Sequence, residues 1–546
     1  MRTKSGEMGT RAAGAGLVLL TLAAAQFLMT LDMSVMNVSM AQAAEDLGTT
    51  VTGIQTAITM YTLVMATLMI TGGKIGSNIG RRKAFVIGGV IYAVGSLLTA
   101  IAPNLFVLIL GWSVLEGIGA ALIMPATVAL VAANMAPENR PRAYGLIASA
   151  GAIAVAVGPL LGGVATTYFS WRWVFVGEVL VAGALVLLAR RINDTPAEGG
   201  KRLDIVGTVL SAVGLGFAVY GILQSSSWGW IHPNPGAPAL LGLSPTVWLI
   251  VGGALVMWLF LLWELRVIAA GREPLVQPSI FRNRQLDGGL LMFFFEYLLQ
   301  SGIFFVVPLF LSVVLELPAV ETGLRVLPLS VSLLVSALGI PRVWPHASPR
   351  RVVRIGVLLL LAGILTLMSG IDLGASAGVV MVPMILIGLG TGCFGAQLGA
   401  VTVSSVPDEH SAEVGGLQNT SANLGASVGT ALAGSVLIAI LTAGVISGIS
   451  GSPDVPPEVA AQATVELSSG VPFMSDTQLS AALTQADVPE ATSDAVLNAN
   501  RTARIDALNA ALGVLLVVGL AALMFTGLLP KRPAVHRGAG QAGQAG

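Results

Sequence analysis

Four carboxylates stand inside runs of apolar residues: Asp32 in Leu31-Asp-Met-Ser-Val-Met-Asn37, Glu116 in Leu115-Glu-Gly-Ile-Gly119, Glu178 in Val176-Gly-Glu-Val179 and Glu296 in Phe293-Phe-Phe-Glu-Tyr297. A carboxylate in such a run costs about 2.5 kcal/mol or more unless it is paired, hydrated or protonated. The chemistry open to these groups is therefore to take up and release a proton, or to hold a cation. Each also has a plainer reading. Asp32 could cap or snorkel at a helix end, Glu116 could hydrogen-bond a neighbouring helix, and Glu178 could simply pair with Arg172. Glu296, beside Tyr297 and three phenylalanines, could bind a lipophilic cation by charge and aromatic contact, or those rings could only pack. Other chemistries find no support. There is no G-x-x-x-x-G-K-S/T phosphate loop for an ATP-driven pump. No nucleophile–base pair is visible, the four histidines show no metal-ligand spacing, and the single cysteine, Cys393, excludes an internal disulfide. The reading is not an enzyme, with no metal site and no cofactor.

The elements that must position these acids are membrane-spanning helices. Hydrophobic residues make up 55% of the chain and charged ones 10%, with a mean hydropathy of +0.84, whereas soluble domains carry roughly a quarter charged residues. The apolar runs exceed about eighteen residues, which reads as helices rather than the alternating strands of a barrel. Fourteen segments begin near Gly14, Val51, Ala84, Leu105, Ala143, Trp171, Leu203, Val247, Gly288, Ala319, Val352, Ala377, Ser411 and Asp506. The first follows Arg2, Lys4 and Arg11 and is too long for a signal peptide, so it reads as a retained span. An even number of spans places both termini on one side. All of the 28 Lys and Arg except Arg172, Arg325, Arg501 and Arg504 fall on the side of the N-terminus. By the positive-inside rule both ends are cytoplasmic, in a multi-pass protein of the cell membrane.

Two connections differ from the rest. Trp228 to Pro245 is uncharged, aromatic and rich in Pro and Gly, as expected of an outer interfacial loop. Residues 450–504 form a long acidic stretch on the outer side. Within it, Ser475-Asp-Thr-Gln478 predicts a capped short amphipathic helix, and a second helix from about Thr492 runs into the last span. The stretch reads as a solvated loop or as a helical lid over the outer mouth.

Glycine patterning supplies the sharpest motif. Gly151-Ala-Ile-Ala-Val-Ala-Val-Gly-Pro-Leu-Leu-Gly-Gly163 places Gly151, Gly158 and Gly162 on one helix face, where another backbone can approach. Pro159 removes a backbone donor and bends the helix, with neighbours re-satisfying the freed carbonyl. This stretch resembles the antiporter motif of the major facilitator superfamily. Gly73-Lys-Ile-Gly-Ser-Asn-Ile-Gly-Arg-Arg-Lys83 resembles that superfamily's G-x-L-a-D-R-x-G-R-K loop, with Ser77 where an aspartate is usual and Asn78 where a base follows. Its glycines Gly73 and Gly80 read as a tight turn. Its cations, Arg81 and Arg82 among them, read as latches to carboxylates or helix ends of the neighbouring bundle.

Further resemblance singles out the fourteen-helix drug:proton antiporters of the EmrB/QacA type. Leu31-Asp-Met-Ser-Val-Met-Asn-Val-Ser39 is similar to their L-D-x-T-V-V-N-V-A, and Ser170-Trp-Arg-Trp-Val-Phe175 to their W-R-W-I-F. Leu115 to Pro125 is similar to R-x-x-Q-G-x-G-A-A, but Ser113 stands in place of the arginine and Glu116 in place of the glutamine. Two buried acids disfavour double ionisation, so Asp32 and Glu116 are expected to share the first-half cavity and carry one proton between them. In Gly415 to Gly425, Gln418, Asn419 and Asn423 either line the pathway or bond neighbouring helices.

The resemblance implies an all-α integral membrane protein of major facilitator fold, with two six-helix bundles and two inserted helices. The divisions are residues 1–13 (cytoplasmic), 14–192 (first bundle), 193–270 (inserted pair), 271–528 (second bundle, with the 450–504 stretch) and 529–546 (cytoplasmic tail). Arg81-Arg82 before Ile87-Gly88, and Arg350-Arg351 before Ile355-Gly356, would occupy equivalent places in the two bundles. Implied partners are a small-molecule substrate, protons and the lipid bilayer, not nucleic acid, with a monomer as the unit. The implied activity is export of drugs or other lipophilic or cationic compounds in exchange for protons. An exporter of a lipid, amino acid or metabolite with altered coupling, or a non-transporting receptor or scaffold, are the alternatives.

Overall fold

A computed structural model describes residues 3–49, 51–194, 203–234, 236–407, 410–458, 467 and 471–532. Arg2, Lys201, Arg202, Glu466 and Arg537, and the side chains of Arg11 and Asn37, lie outside the described set. The helices are α1 (Thr3–Asp46), α2 (Val51–Ile79), α3 (Arg81–Ala100), α4 (Leu105–Asn134), α5 (Arg140–Tyr168), α6 (Arg172–Ala189), α7 (Ile205–Trp228), α8 (Pro245–Ala269) and α9 (Arg284–Val314). They continue as α10 (Ala319–Val343), α11 (Pro349–Gly370), α12 (Ala377–Val403), α13 (Ser411–Gly451), α14 (Asp476–Gln485) and α15 (Glu490–Phe525). All but α14 carry a stretch long and apolar enough to cross a membrane, which makes fourteen spans.

Polar side chains close the helix ends where the apolar runs stop. Asn104 accepts from the Val107 amide at the start of α4, Asp204 from Gly207 before α7, Ser244 from Thr246 before α8, and Asn283 from Gln285 before α9. Such caps occupy backbone donors that have no partner within the helix.

The packing repeats itself. In the first half α1 packs on α5, α2 on α4 and α3 on α6; in the second, α9 packs on α13, α10 on α12 and α11 on α15. The halves meet through α2 against α13 and α5 against α10. The inserted helices α7 and α8 pack on each other, and α7 leans on α2 and α13. Two close helix crossings carry the repeat down to single residues. A methyl group on Gly88 of α3 would sit 2.8 Å from the Gly119 carbonyl of α4, and one on Gly356 of α11 would sit 2.8 Å from the Gly390 carbonyl of α12. Both crossings require glycine, and both follow the paired arginines noted in the sequence.

Two expectations need correction. The loop after the second span is not a turn from Gly73: α2 stays helical to Ile79, and only Gly80, at φ 104°, breaks it. The long outer stretch is shorter than 450–504, because α13 continues to Gly451 and α15 begins at Glu490. At 41 and 36 residues these helices exceed the roughly 20 that span a bilayer.

The segment between α13 and α15 is tied down. Ser475 and Gln478 form a capping box for α14. Asp476 accepts from Arg501 Nε at 2.5 Å and from Arg504, while Glu316 accepts from the Thr477 amide at 3.0 Å. The Thr477 hydroxyl, and then its amide, donate to Glu316 and hold its carboxyl below the usual carboxylate range.

Candidate functional site

Asp32, Glu116 and Glu178 come from α1, α4 and α6, yet a carboxylate oxygen of each lies within 4.8 Å of the others. All three are buried, at 0%, 0% and 2% exposure. Glu116 closes a π-helical stretch of α4, Ile109–Glu116, which also carries the fully buried Trp112 and Ser113. Such a wide turn re-aims side chains, and it is frequent at functional sites. Its position depends on glycine, since a methyl on Gly95 of α3 would lie 2.7 Å from Glu116 Cγ and from the Gly111 carbonyl.

Neutral donors surround the acids. Trp112 Nε1 donates to Asp32 Oδ1 at 2.7 Å, Thr99 Oγ1 to Glu116 Oε1 at 3.3 Å, and Tyr92 OH and Ser96 Oγ to Glu178 Oε2 at 3.3 and 3.4 Å. Tyr61 of α2 stacks on Trp112 with ring centroids 5.1 Å apart, and its hydroxyl is turned towards Asp32. Asp32 Oδ2, Glu116 Oε2 and Glu178 Oε1 have no hydrogen-bond partner. Ser113, standing where an arginine is the family pattern, donates to the Ala57 carbonyl at 2.8 Å and brings no charge.

Glu178 therefore faces the other acids. Arg172 pairs instead with Asp46 at 3.0 Å, lies 4.6 Å over the Trp171 ring, and ties the end of α1 to the start of α6. Trp171 is buried while Trp173 is exposed. Glu296 stands apart from the trio, buried on α9 with Oε2 unpartnered. The repeat offers no second trio, because the residue three before Gly390 is Ile387, where the first half has Glu116 before Gly119.

The glycine-rich face of α5 lies on the acid-bearing helix. Gly151 faces Gln26 and Thr30 of α1, and a methyl on Gly158 would sit 2.2 Å from Ser34 Oγ. Gly162 packs on Val35, and Gly163 is half-buried. Pro159 has no N–H to offer the Val155 carbonyl four residues back, and Ser34 Oγ donates to that carbonyl at 3.3 Å. The Pro159 turn of α5 is thus stitched to α1 two residues from Asp32.

At the end of the bundle that carries the basic residues, the contact between halves is made by Lys74. Its Nζ lies 2.9 Å from Glu413 Oε1 at the start of α13 and 3.9 Å from Glu273, in the segment that follows the inserted pair. A methyl on Gly73 would meet the Ala412 carbonyl at 2.6 Å, and one on Gly145 of α5 the Ala337 carbonyl of α10 at 2.8 Å. Arg82 stays within its own half, accepted by the Ile192 carbonyl at 3.2 Å and 3.9 Å from Asp194. The neighbouring Arg81 is buried, and Gly80 lies against Asp194. Lys74 is thus one cation of this loop that reaches a carboxylate of the other half. On α13, Gln418 donates to Thr402, Asn419 to the Gly415 carbonyl and Asn423 to the Asn419 carbonyl.

The sequence profile of the Major Facilitator Superfamily matches residues 22–430. The chain belongs to that superfamily. It is a multi-pass membrane transporter, not an enzyme. It is 31% identical over 425 residues to the puromycin resistance protein pur8 of Streptomyces alboniger, covering 77% of this chain and 81% of that one. It is 28% identical to the methylenomycin A resistance protein of Bacillus subtilis (79% and 90% covered) and 26% identical to the multidrug export protein EmrB of Escherichia coli K12 (77% and 80% covered). Among solved structures the proton:xylose symporter XylE aligns over 96% of this chain and 99% of its own, with a TM-score of 0.52 at 13% identity. The peptide transporter POT aligns over 94% and 96%, with a TM-score of 0.55 at 14% identity. These likenesses fix the fold.

Proposed function

We propose that this protein is a secondary active exporter of drugs or other lipophilic or cationic compounds, driven by exchange for protons at Asp32, Glu116 and Glu178. The observation that carries the reading is the trio itself. Two unit charges 4.8 Å apart repel by about 3 kcal/mol at an effective dielectric of 20, and the hydrogen-bonding neighbours here are neutral. Full ionisation is therefore penalised by all three pairs, so the number of bound protons must change when the site meets water. The resistance and export proteins to which the chain is similar suggest the cargo class.

In this reading both termini are cytoplasmic, and residues 14–192 and 271–528 form the rocking bundles around the insertion 193–270. The Lys74–Glu413 pair and the glycine contacts Gly73–Ala412 and Gly145–Ala337 close the cytoplasmic end. Protons from outside neutralise the trio, α1 shifts on the glycine face of α5, and the seam between α5 and α10 opens the other way. Glu296 and its aromatic neighbours are the candidate contact for a cationic substrate in the second bundle.

The test is internal pH in proteoliposomes on addition of lipophilic cations, comparing wild type with Asp32→Asn and Glu178→Gln. Substrate-dependent proton movement that both substitutions abolish is expected. Substrate flux without proton movement in the wild type would overturn the coupling.

A further inference from the structure

Three acids from three helices supply six carboxylate oxygens, and the neutral donors around them satisfy only one oxygen of each. A second, independent group points into the same space. The Tyr61 hydroxyl, on α2, is fully buried, has no hydrogen bond of ordinary geometry and lies beside Asp32. Tyr61 is fixed there by its stack on Trp112, whose indole N–H holds the other oxygen of Asp32. A phenolic oxygen and three carboxylates are hard oxygen donors, the set that suits alkali and alkaline-earth cations rather than soft metals.

The spacing agrees. Oxygens around one ion of calcium size stand about 2.3–2.6 Å from it, so the farthest pair is separated by about 5 Å. One carboxylate oxygen from each of the three acids lies within 4.8 Å of the other two. Such a cation would remove the mutual repulsion of the acids without protonating them all.

We propose that Asp32, Glu116, Glu178 and Tyr61 form a binding site for one hard cation of the Na+ or Ca2+ size, which competes with protons for the same oxygens. The site lies among α1, α2, α4 and α6, with α3 behind it. It is too enclosed for a drug-sized molecule, so the ion and the exported compound occupy different places. The other titratable group facing the site is Tyr92 of α3, already committed to Glu178. The inference rests on the reading of the trio as the coupling site, and adds an ion other than the proton to it.

Calorimetric titration of the full-length protein in nanodiscs, with NaCl or CaCl2 as the only added ion, tests it. At pH 8 one of the two salts is expected to bind at one ion per chain, and binding should weaken at least tenfold at pH 6. Glu178→Gln should abolish it. Tyr61→Phe, which keeps the ring stack, should weaken it several-fold without changing the thermal unfolding of the ion-free protein. Sodium and calcium are told apart by which salt gives heat. Absence of binding by both salts at pH 8, or binding that is indifferent to pH and to Glu178→Gln, would overturn the cation site. Proton movement in the liposome assay would stand in that case. Conversely, ion binding in a protein that moves no protons would sink the coupling scheme and leave the cation site intact.

Discussion

Replacing Lys74 by Met tests how the closed basic end is held. Lys74 and Glu413 are 5% and 4% exposed, and the Nζ–Oε1 distance is 2.9 Å. Removing one partner of a buried pair typically costs about 3–5 kcal/mol, because the remaining charge is left without compensation. Here His410 Nδ1, 3.5 Å from Glu413 Oε2, softens the loss, so the low end applies. The pair links α2 to α13 across the two halves, so it exists only while this end is shut. A loss of about 3 kcal/mol therefore moves the closed–open equilibrium by about 100-fold towards open. The readout is the distance distribution between spin labels on cysteines replacing Arg142 and Val343. Both residues are exposed at this end, on α5 and α10, in a background with Cys393→Ser. Lys74→Met and Glu413→Gln should each add a long-distance population, and the double variant should add little more than either. The reversed pair, Lys74→Glu with Glu413→Lys, should recover part of the short one. An unchanged distribution in both single variants, or strictly additive effects in the double, would refute the latch.

Gly158→Val places a branched side chain where a methyl already meets Ser34 Oγ at 2.2 Å. Overpacking of this kind costs about 1–3 kcal/mol, and export in liposomes should be lost while the protein still elutes as a monodisperse species. Ser34→Ala leaves the buried Val155 carbonyl without its donor, at a cost of about 1–3 kcal/mol, which thermal unfolding in detergent should register as a lower midpoint. At the outer end, the hydrogen bonds from Thr477 stabilise the ionised form of Glu316, so its folded value lies below its ordinary one. That contribution is full above the ordinary carboxylate range and disappears as pH falls through the depressed value. Amide exchange at Thr477 should accordingly stay slow at neutral pH, rise in acid, and be fast at all pH values in Glu316→Gln.

The fourteen spans were legible because each needs a long apolar run, and no soluble alternative competes with it. The starts near Val51, Leu105, Ala319 and Ser411 coincide with those of the helices. The last apolar run begins near Asp506, and the polar helix expected from about Thr492 does run into it, as the single helix α15 from Glu490. Outside the bilayer its continuation is decided by contacts such as Arg504 with Asp476, which hydropathy does not register. The acids could be named singly, since a charge in an apolar run is conspicuous by its cost. Their convergence could not, because it depends on the π turn of α4 and the Gly95–Gly111 crossing. The same holds for Lys74, legible as one of the loop's cations but not as the one that reaches the other half. It sits in a motif whose familiar charges are Arg81 and Arg82, and its partner Glu413 is distant in sequence. Here the aspartate usual in that loop is Ser77, which only bonds the Lys74 carbonyl at 2.9 Å. The acid that faces the lysine comes from the opposite half, so the loop lost a charge within its own bundle and the interface carries one instead. If that relocation is what holds the basic end shut, restoring the aspartate with Ser77→Asp should set a second acid in competition for Lys74. The long-distance population should then rise even with Glu413 intact, whereas a latch internal to the first bundle would tighten.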